Sequence, residues 1–179
     1  MAKRWLEKNF PILAAAPVDF NDGATTGDYI CMKGWGGCAI LIAYGDGTAG
    51  SDLQYTIQQA TDVANSLTDA KALNCLETGR IFTMDAATYA AYALLAATHF
   101  NADTQATADE VWLDATNGEA VGICVLEVFE SDLDTSNGFD CLRCDVTDPG
   151  AAKIGAILYI LHDPKDATYP TLMRNPLID

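Results

Sequence analysis

Positive charge is scarce in this chain. Ten lysines and arginines face 25 aspartates and glutamates, for a formal charge of −15 and a pI near 4.2. A protein that binds phosphate backbones gains affinity from cations that displace condensed counterions, so nucleic acid and anionic membrane surfaces are excluded as expected partners. Histidine is nearly absent: His99 and His162 are the only two, and neither lies near a serine or cysteine in a nucleophile turn such as Gly-x-Ser-x-Gly, so a hydrolytic triad has no foothold. His162, in Leu-His-Asp-Pro, reads as a strand-end residue capping a turn. No Gly-x-x-x-x-Gly-Lys loop occurs, and Gly34-Trp-Gly-Gly reads as a turn. Gly45-Asp-Gly-Thr-Ala-Gly50, although it has Gly-x-Gly-x-x-Gly spacing, reads as the glycine turn that bounds a strand rather than the opening of a helix, so no nucleotide cradle is expected. No run approaches the roughly 18 apolar residues of a membrane-spanning helix, and a soluble chain without cofactor, resident metal or catalytic centre is expected.

Cysteine is too thinly spread for a disulfide scaffold: Cys31, Cys38, Cys75, Cys124, Cys141 and Cys144 are scattered over 179 residues. Cys141-Leu-Arg-Cys144 has the spacing of half a zinc knuckle, but its only complement is Cys31 with Cys38, whose gap exceeds the usual two to four residues. A thioredoxin-like motif sits where a strand gives way to a helix, whereas this pair lies in a segment that reads as strand. Buried thiols are the expectation. Bridges between strands, or between copies, among any of the six remain open if the protein resides in an oxidising compartment.

What is present is a core. Half the residues are apolar, and a chain this long buries roughly 70 % of its unfolded surface, so one domain is expected, flanked by an extended arm over residues 1–27 and an extended tail over 162–179. The arm begins with basic residues and then small apolar ones, but Ile12 to Ala16 is shorter than the hydrophobic segment of a secretory signal. Its tip carries Lys3, Arg4 and Lys8 against Glu7 alone, together with Trp5, Leu6 and Phe10. The tip therefore suits an acidic or apolar neighbouring surface. The tail holds three prolines, which forbid a helix or central strand, yet it presents Tyr169, Leu172, Met173, Leu177 and Ile178 for a partner. Folding back over its own domain explains the same residues.

Between them, residues 28–161 read as strands. Residues 28–32 and 38–44 flank a glycine turn, and 38–44 is continuously apolar, as in a strand covered on both faces. Residues 53–60 alternate with one wet face, 61–74 read as a loop, and 80–84 as a short strand. Residues 84–99 favour a short helix by alanine content. A polar loop spans 101–110. Val111 to Leu113 and Ala120 to Phe129 flank Asn117-Gly118, a strong hairpin signal. Residues 120–129, 139–146 and 153–161 then suggest a meander. Seven or eight such strands imply a mainly β protein, an antiparallel β-sandwich of jelly-roll-like topology. The acidic loop 130–140 has the composition of a calcium site, but its glycine falls one place late and Arg143 occupies the bidentate glutamate position; a solvated turn accounts for it equally. Acid pairs for glycoside hydrolysis can be drawn from many carboxylates, and none is singled out.

The phrases Asp28-Tyr-Ile-Cys-Met-Lys, Thr56-Ile-Gln-Gln-Ala-Thr-Asp-Val, Ala70-Lys-Ala-Leu-Asn, Glu127-Val-Phe-Glu-Ser-Asp-Leu-Asp-Thr-Ser-Asn-Gly-Phe-Asp-Cys and Gly155-Ala-Ile-Leu-Tyr-Ile-Leu, in this order over residues 28–179, resemble small virion proteins of tailed bacteriophages, the head decoration or cement proteins encoded beside the major capsid protein. The cysteine content and the alanine-rich stretch depart from that pattern. The resemblance implies a non-enzymatic structural protein on the capsid surface, made in the host cytoplasm. Its partners would be the major capsid protein and its own copies, as a trimer. Many weak contacts in a closed shell add up through effective concentration. A neck or tail position, a carbohydrate-binding adhesin using Trp35 and Trp112, and an enzyme built on Cys141 or an acid pair stand as the alternatives.

Overall fold

The computed structural model describes residues 5, 8–64, 69–73, 81–85, 101–103, 110–112 and 120–165. Two antiparallel sheets face each other across one apolar core, the mainly β sandwich that the alternation of strand-forming and turn-forming segments predicts. The first sheet runs β1 (Asn9–Asp19), β12 (Ile154–Pro164), β4 (Trp35–Tyr44), β10 (Gly122–Phe129), β7 (Ile81–Asp85), β8 (Asn101–Asp103). The second runs β2 (Thr25–Thr26), β11 (Cys141–Val146), β5 (Gln54–Ala60), β6 (Lys71–Ala72). There β3 (Ile30–Cys31) also pairs with β11, and β9 (Glu110–Trp112) with β5. Short 3-10 turns lie at Phe20–Asp22, Glu130–Asp132 and Thr135–Asn137.

Each long strand sends every second residue inward. Ile40 and Ile42 of β4, Leu126 and Val128 of β10, and Ile157, Tyr159 and Leu161 of β12 meet Tyr55 and Ile57 of β5 and Leu142, Cys144 and Val146 of β11; all are fully buried. The clean alternation read over 53–60 is thus realised, with Gln54, Thr56 and Gln58 on the wetter face. Tyr159 also ties the sheets together. Between the β2 and β3 pairings β11 has, among the described residues, no strand partner on that side at Arg143 and Cys144, and the Cys144 amide donates instead to the Tyr159 hydroxyl at 2.8 Å. Gly27 supplies the close backbone crossing: its amide donates to the Cys144 carbonyl at 3.2 Å, and a Cβ there would lie 2.5 Å from that oxygen and 2.7 Å from the Tyr159 hydroxyl.

Several local expectations are corrected. The arm expected over residues 1–27 is, from Asn9 onward, part of the sandwich: β1 pairs with β12 from Asn9↔His162 to Asp19↔Ile154. Phe20 is fully buried. Pro11 and Pro17 fit because β1 is an edge strand, where a missing N–H need not interrupt a ladder, and two register shifts between Leu13 and Val18 absorb the irregularity. At the other end, β12 carries the last strand on to Pro164, beyond the expected start of the tail. Residues 28–32 and 38–44 are not a hairpin, since β3 joins the second sheet and β4 the first. Nor do β9 and β10 pair across Asn117-Gly118, and β10, β11 and β12 are not a meander. In each case consecutive strands go to opposite sheets. A strand buries its apolar face by crossing the core as well as by reversing beside its predecessor, and turn residues mark reversal without fixing the partner. Residues 101–103, read as loop, pair with β7. The helix expected over 84–99 falls outside the described residues beyond Asp85, where Met84 and Asp85 end β7.

Candidate functional site

The outer face of the first sheet is apolar where a solvated sheet would be polar. Register places Leu13 opposite Leu158, Leu158 opposite Leu41, Leu41 opposite Val125 and Val125 opposite Phe82, a single row across five strands. Flanking rows add Pro11, Ile160 and Ala39 on one side, where the row ends on Glu127 of β10, and Ala156, Ala43 and Ile123 on the other. Central members are half-buried by their neighbours, while Leu13 is 57 % exposed and Ile123 37 %. Val121 and Ile154 extend the apolar surface at one end. With strands ~4.8 Å apart and same-face residues ~7 Å apart, the three rows cover on the order of 400 Å². That is the size of the largest patches on monomeric proteins, which are often functional.

The outer face of the second sheet differs in chemistry. Arg143 lies nearly buried, 2.9 Å from Asp145 and 2.8 Å from the Gln58 carbonyl oxygen, its guanidinium 4.6 Å from the centre of the Tyr29 ring. Burial raises the Asp145 carboxyl, which Arg143 opposes by favouring its charge. Burial likewise raises the Tyr29 hydroxyl. One step along the strands, Cys31 of β3 stands directly opposite Cys141 of β11, with Ala60 of β5 beyond it. These residues and Tyr29 form a small apolar cluster of their own, against which Val63 and Ala70 pack. Asp69 accepts hydrogen bonds from the Thr61 amide, at 3.2 Å, and from the Thr61 hydroxyl, which ties the two ends of this cover. The Cys141 thiol is 3.5 Å from an Asp140 carboxylate oxygen, and Lys33 reaches the same carboxylate at 3.8 Å. The hydrogen bond with Cys31 and then burial push the Cys141 thiol up.

The residues singled out from the sequence are dispersed. Trp5 is 55 % exposed, Lys8 is exposed, and Phe10 is 36 % exposed with its ring 6.2 Å from that of Trp35. Lys3, Arg4, Leu6, Tyr169, Leu172, Met173, Leu177 and Ile178 lie outside the described residues. Trp35 is fully buried, which corrects its reading as an exposed glycan-stacking ring; the side chain of Trp112 is outside the described part. Cys38, Cys124 and Cys144 belong to the core between the sheets, and burial pushes the Cys38 thiol up to about 12. Cys75 is not described.

Carboxylates of the acidic loop are engaged within the chain. Asp134 takes Lys71 at 2.5 Å, Ser136 at 3.0 Å and Asn137 at 2.9 Å, and Asp132 accepts from the Phe129 amide at 2.8 Å. His162 stands within β12, its Nδ1 2.9 Å from Asp163 and its Nε2 3.8 Å from Glu127. The reading of single residues passed over the apolar face. Its signal was there, in that 38–44, 121–126 and 154–161 all lack a regular wet face.

No protein-family model matches the chain, and no curated protein matches it. Among solved structures it is similar to the SPBc2 prophage-derived protein YomS, at 6 % identity and a TM-score of 0.45, over 87 % of this chain and 93 % of that one. A tobacco necrosis virus chain aligns at 10 % identity and a TM-score of 0.21, over 89 % of this chain and 98 % of that one. An infectious bursal disease virus VP2 chain aligns at 8 % identity and a TM-score of 0.17, over 97 % of this chain and 43 % of that one. Likenesses this distant say nothing of this chain's partners.

Proposed function

We propose that this chain is a structural protein of a phage virion, a decoration or cement protein that stabilises the head by docking on the major capsid protein and on its own copies. The observation that carries the reading is the apolar outer face of the first sheet, centred on Leu13, Leu158, Leu41 and Val125. A stable interface takes about 800 Å² from each partner, so a face of ~400 Å² supplies about half of one side. That suits a protein held weakly at each contact and firmly by many. Phe10, 36 % exposed, lies on the Ile12 side of β1 rather than on this face, and an acidic charge of −15 keeps copies and particles apart elsewhere.

The test is incorporation. Purified phage particles are analysed by mass spectrometry, and the protein is placed on head or tail by labelled antibody in electron microscopy. Expected is label over the head, and heat-sensitive heads when the gene is removed. The double variant Leu13→Asp, Ile123→Asp, changed only at solvent-facing positions, should fold with its melting temperature nearly unchanged yet fail to enter particles. Absence of the wild-type protein from particles, label confined to the tail, or full incorporation of the double variant overturns the proposal.

A further inference from the structure

A second site lies on the opposite sheet and is independent of the docking face. Cys31 and Cys141 are directly opposed residues of neighbouring antiparallel strands, with both side chains on the same outer face. Opposed residues in such a ladder have Cα atoms about 4.5 or 5.5 Å apart, and both spacings fall within the range that a disulfide spans without backbone movement. The two thiols already share a side-chain hydrogen bond, and they are 2 % and 0 % exposed. Nothing in the spacing of the six cysteines prefers this pair, since the two are far apart along the chain, and the nearer pair, Cys141 with Cys144, lies on opposite faces of β11.

We propose that Cys31 and Cys141 form a reversible disulfide that clamps β3 to β11 when the protein meets an oxidising disulfide pool. The oxidant is a low-molecular-weight disulfide. The thiolate of one cysteine attacks a sulfur of that reagent, so that a protein–reagent S–S bond forms and one reagent thiolate leaves. The second cysteine loses its proton and attacks the protein sulfur of the mixed disulfide. The Cys31–Cys141 bond forms, the second reagent thiolate leaves, and both reagent thiolates take up the two protons released. Two protein thiols are oxidised and one reagent disulfide is reduced. The Asp140 carboxylate beside Cys141 disfavours the thiolate, and the cover at Val63 and Ala70 restricts entry, so the reaction is slow and needs a small reagent. Once made, the bridge closes a segment of roughly 110 residues, long enough that the lost freedom of the unfolded chain stabilises the fold strongly.

The test incubates the full chain with hydroxyethyl disulfide and follows intact mass, non-reducing peptide maps and thermal melting. Expected are a product lighter by two hydrogens, a peptide pair joining Cys31 to Cys141, and a melting temperature higher by about 10 °C, all reversed by dithiothreitol. The variants Cys31→Ser and Cys141→Ser should each lose the rise, and Cys38→Ser should keep it. The peptide map of the unaltered protein decides the matter even if a serine variant folds poorly. Any one of the following overturns the proposal: the product stops at mixed disulfides, the bridge joins another pair, or the mass stays unchanged. Because Cys31, Cys141 and Asp140 have ligand atoms within 4.8 Å of one another, zinc is titrated onto the reduced protein in parallel. A zinc-dependent rise with no oxidant-dependent bridge assigns the trio to a metal and likewise refutes the disulfide.

Discussion

Replacing Tyr159 by phenylalanine removes one oxygen from the centre of the sandwich and leaves the ring in place. That oxygen accepts the Cys144 amide hydrogen at 2.8 Å where, among the described residues, β11 lacks a strand partner. Both residues are fully buried, so water cannot take over the bond. A buried donor left without a partner costs about 1–3 kcal/mol, and in a chain of this size that lowers the melting temperature by roughly 3–10 °C. Tyr55 provides the matched control. It is equally buried, in the same core, but its hydroxyl has no hydrogen-bond partner among the described residues, so Tyr55→Phe removes an unsatisfied group and should be neutral or stabilise by up to about 1 kcal/mol. Urea unfolding of both variants, with unchanged m values to establish that the native and denatured states are comparable, measures the difference. Equal free energies for the two variants, or a larger loss for Tyr55→Phe, would refute the account of the inter-sheet tie.

Gly155→Ala should destabilise by about 1–3 kcal/mol through overpacking, because its Cβ would collide with the Phe20 ring and lie 2.9 Å from the Ala43 carbonyl; chemical denaturation measures it, and a neutral result means that Phe20 repacks freely. The Asp134 carboxyl is lowered from 3.8 to about 2, first by its hydrogen bond with Lys71 and then by Asn137 and Ser136. A carboxyl lowered in the folded state contributes stability above its unfolded value, and that contribution fades as pH falls from 3.8 towards 2. Melting curves across this window should fall less steeply for Asp134→Asn than for the wild type; parallel curves would show that the Lys71 pair does not operate in solution.

The two proposed sites were legible in the sequence to different degrees. The apolar face left a trace, because 38–44 reads as a strand covered on both sides, and β4 does have its inner face in the core and Ala39, Leu41 and Ala43 in the outer apolar rows. Cys31 and Cys141 left none, because opposition across a ladder depends on register between distant segments. The burial of Arg143 and Lys153 was not legible either. Each interrupts or borders an apolar strand, and each is almost fully buried, Arg143 beside Asp145 and Lys153 with its ammonium 3.2 Å from the Gly45 carbonyl.

By itself the sequence determined the class of the fold and the sign of the surface. Alternation over 53–60 marks a strand, and the short length and glycine bounds of the apolar run around 38–44 favour strand over buried helix. Such segments bury their side chains in facing layers, and the excess of acids persists in any conformation. Only the tertiary structure decided which strands are neighbours, and with that the course of β1 along the sheet edge, the row from Leu13 to Phe82 and the meeting of two thiols. Periodicity tells a strand which of its faces is apolar. Its hydrogen-bonding partner is chosen by the packing of the whole core, since a backbone ladder offers the same donors and acceptors to every strand that reaches it.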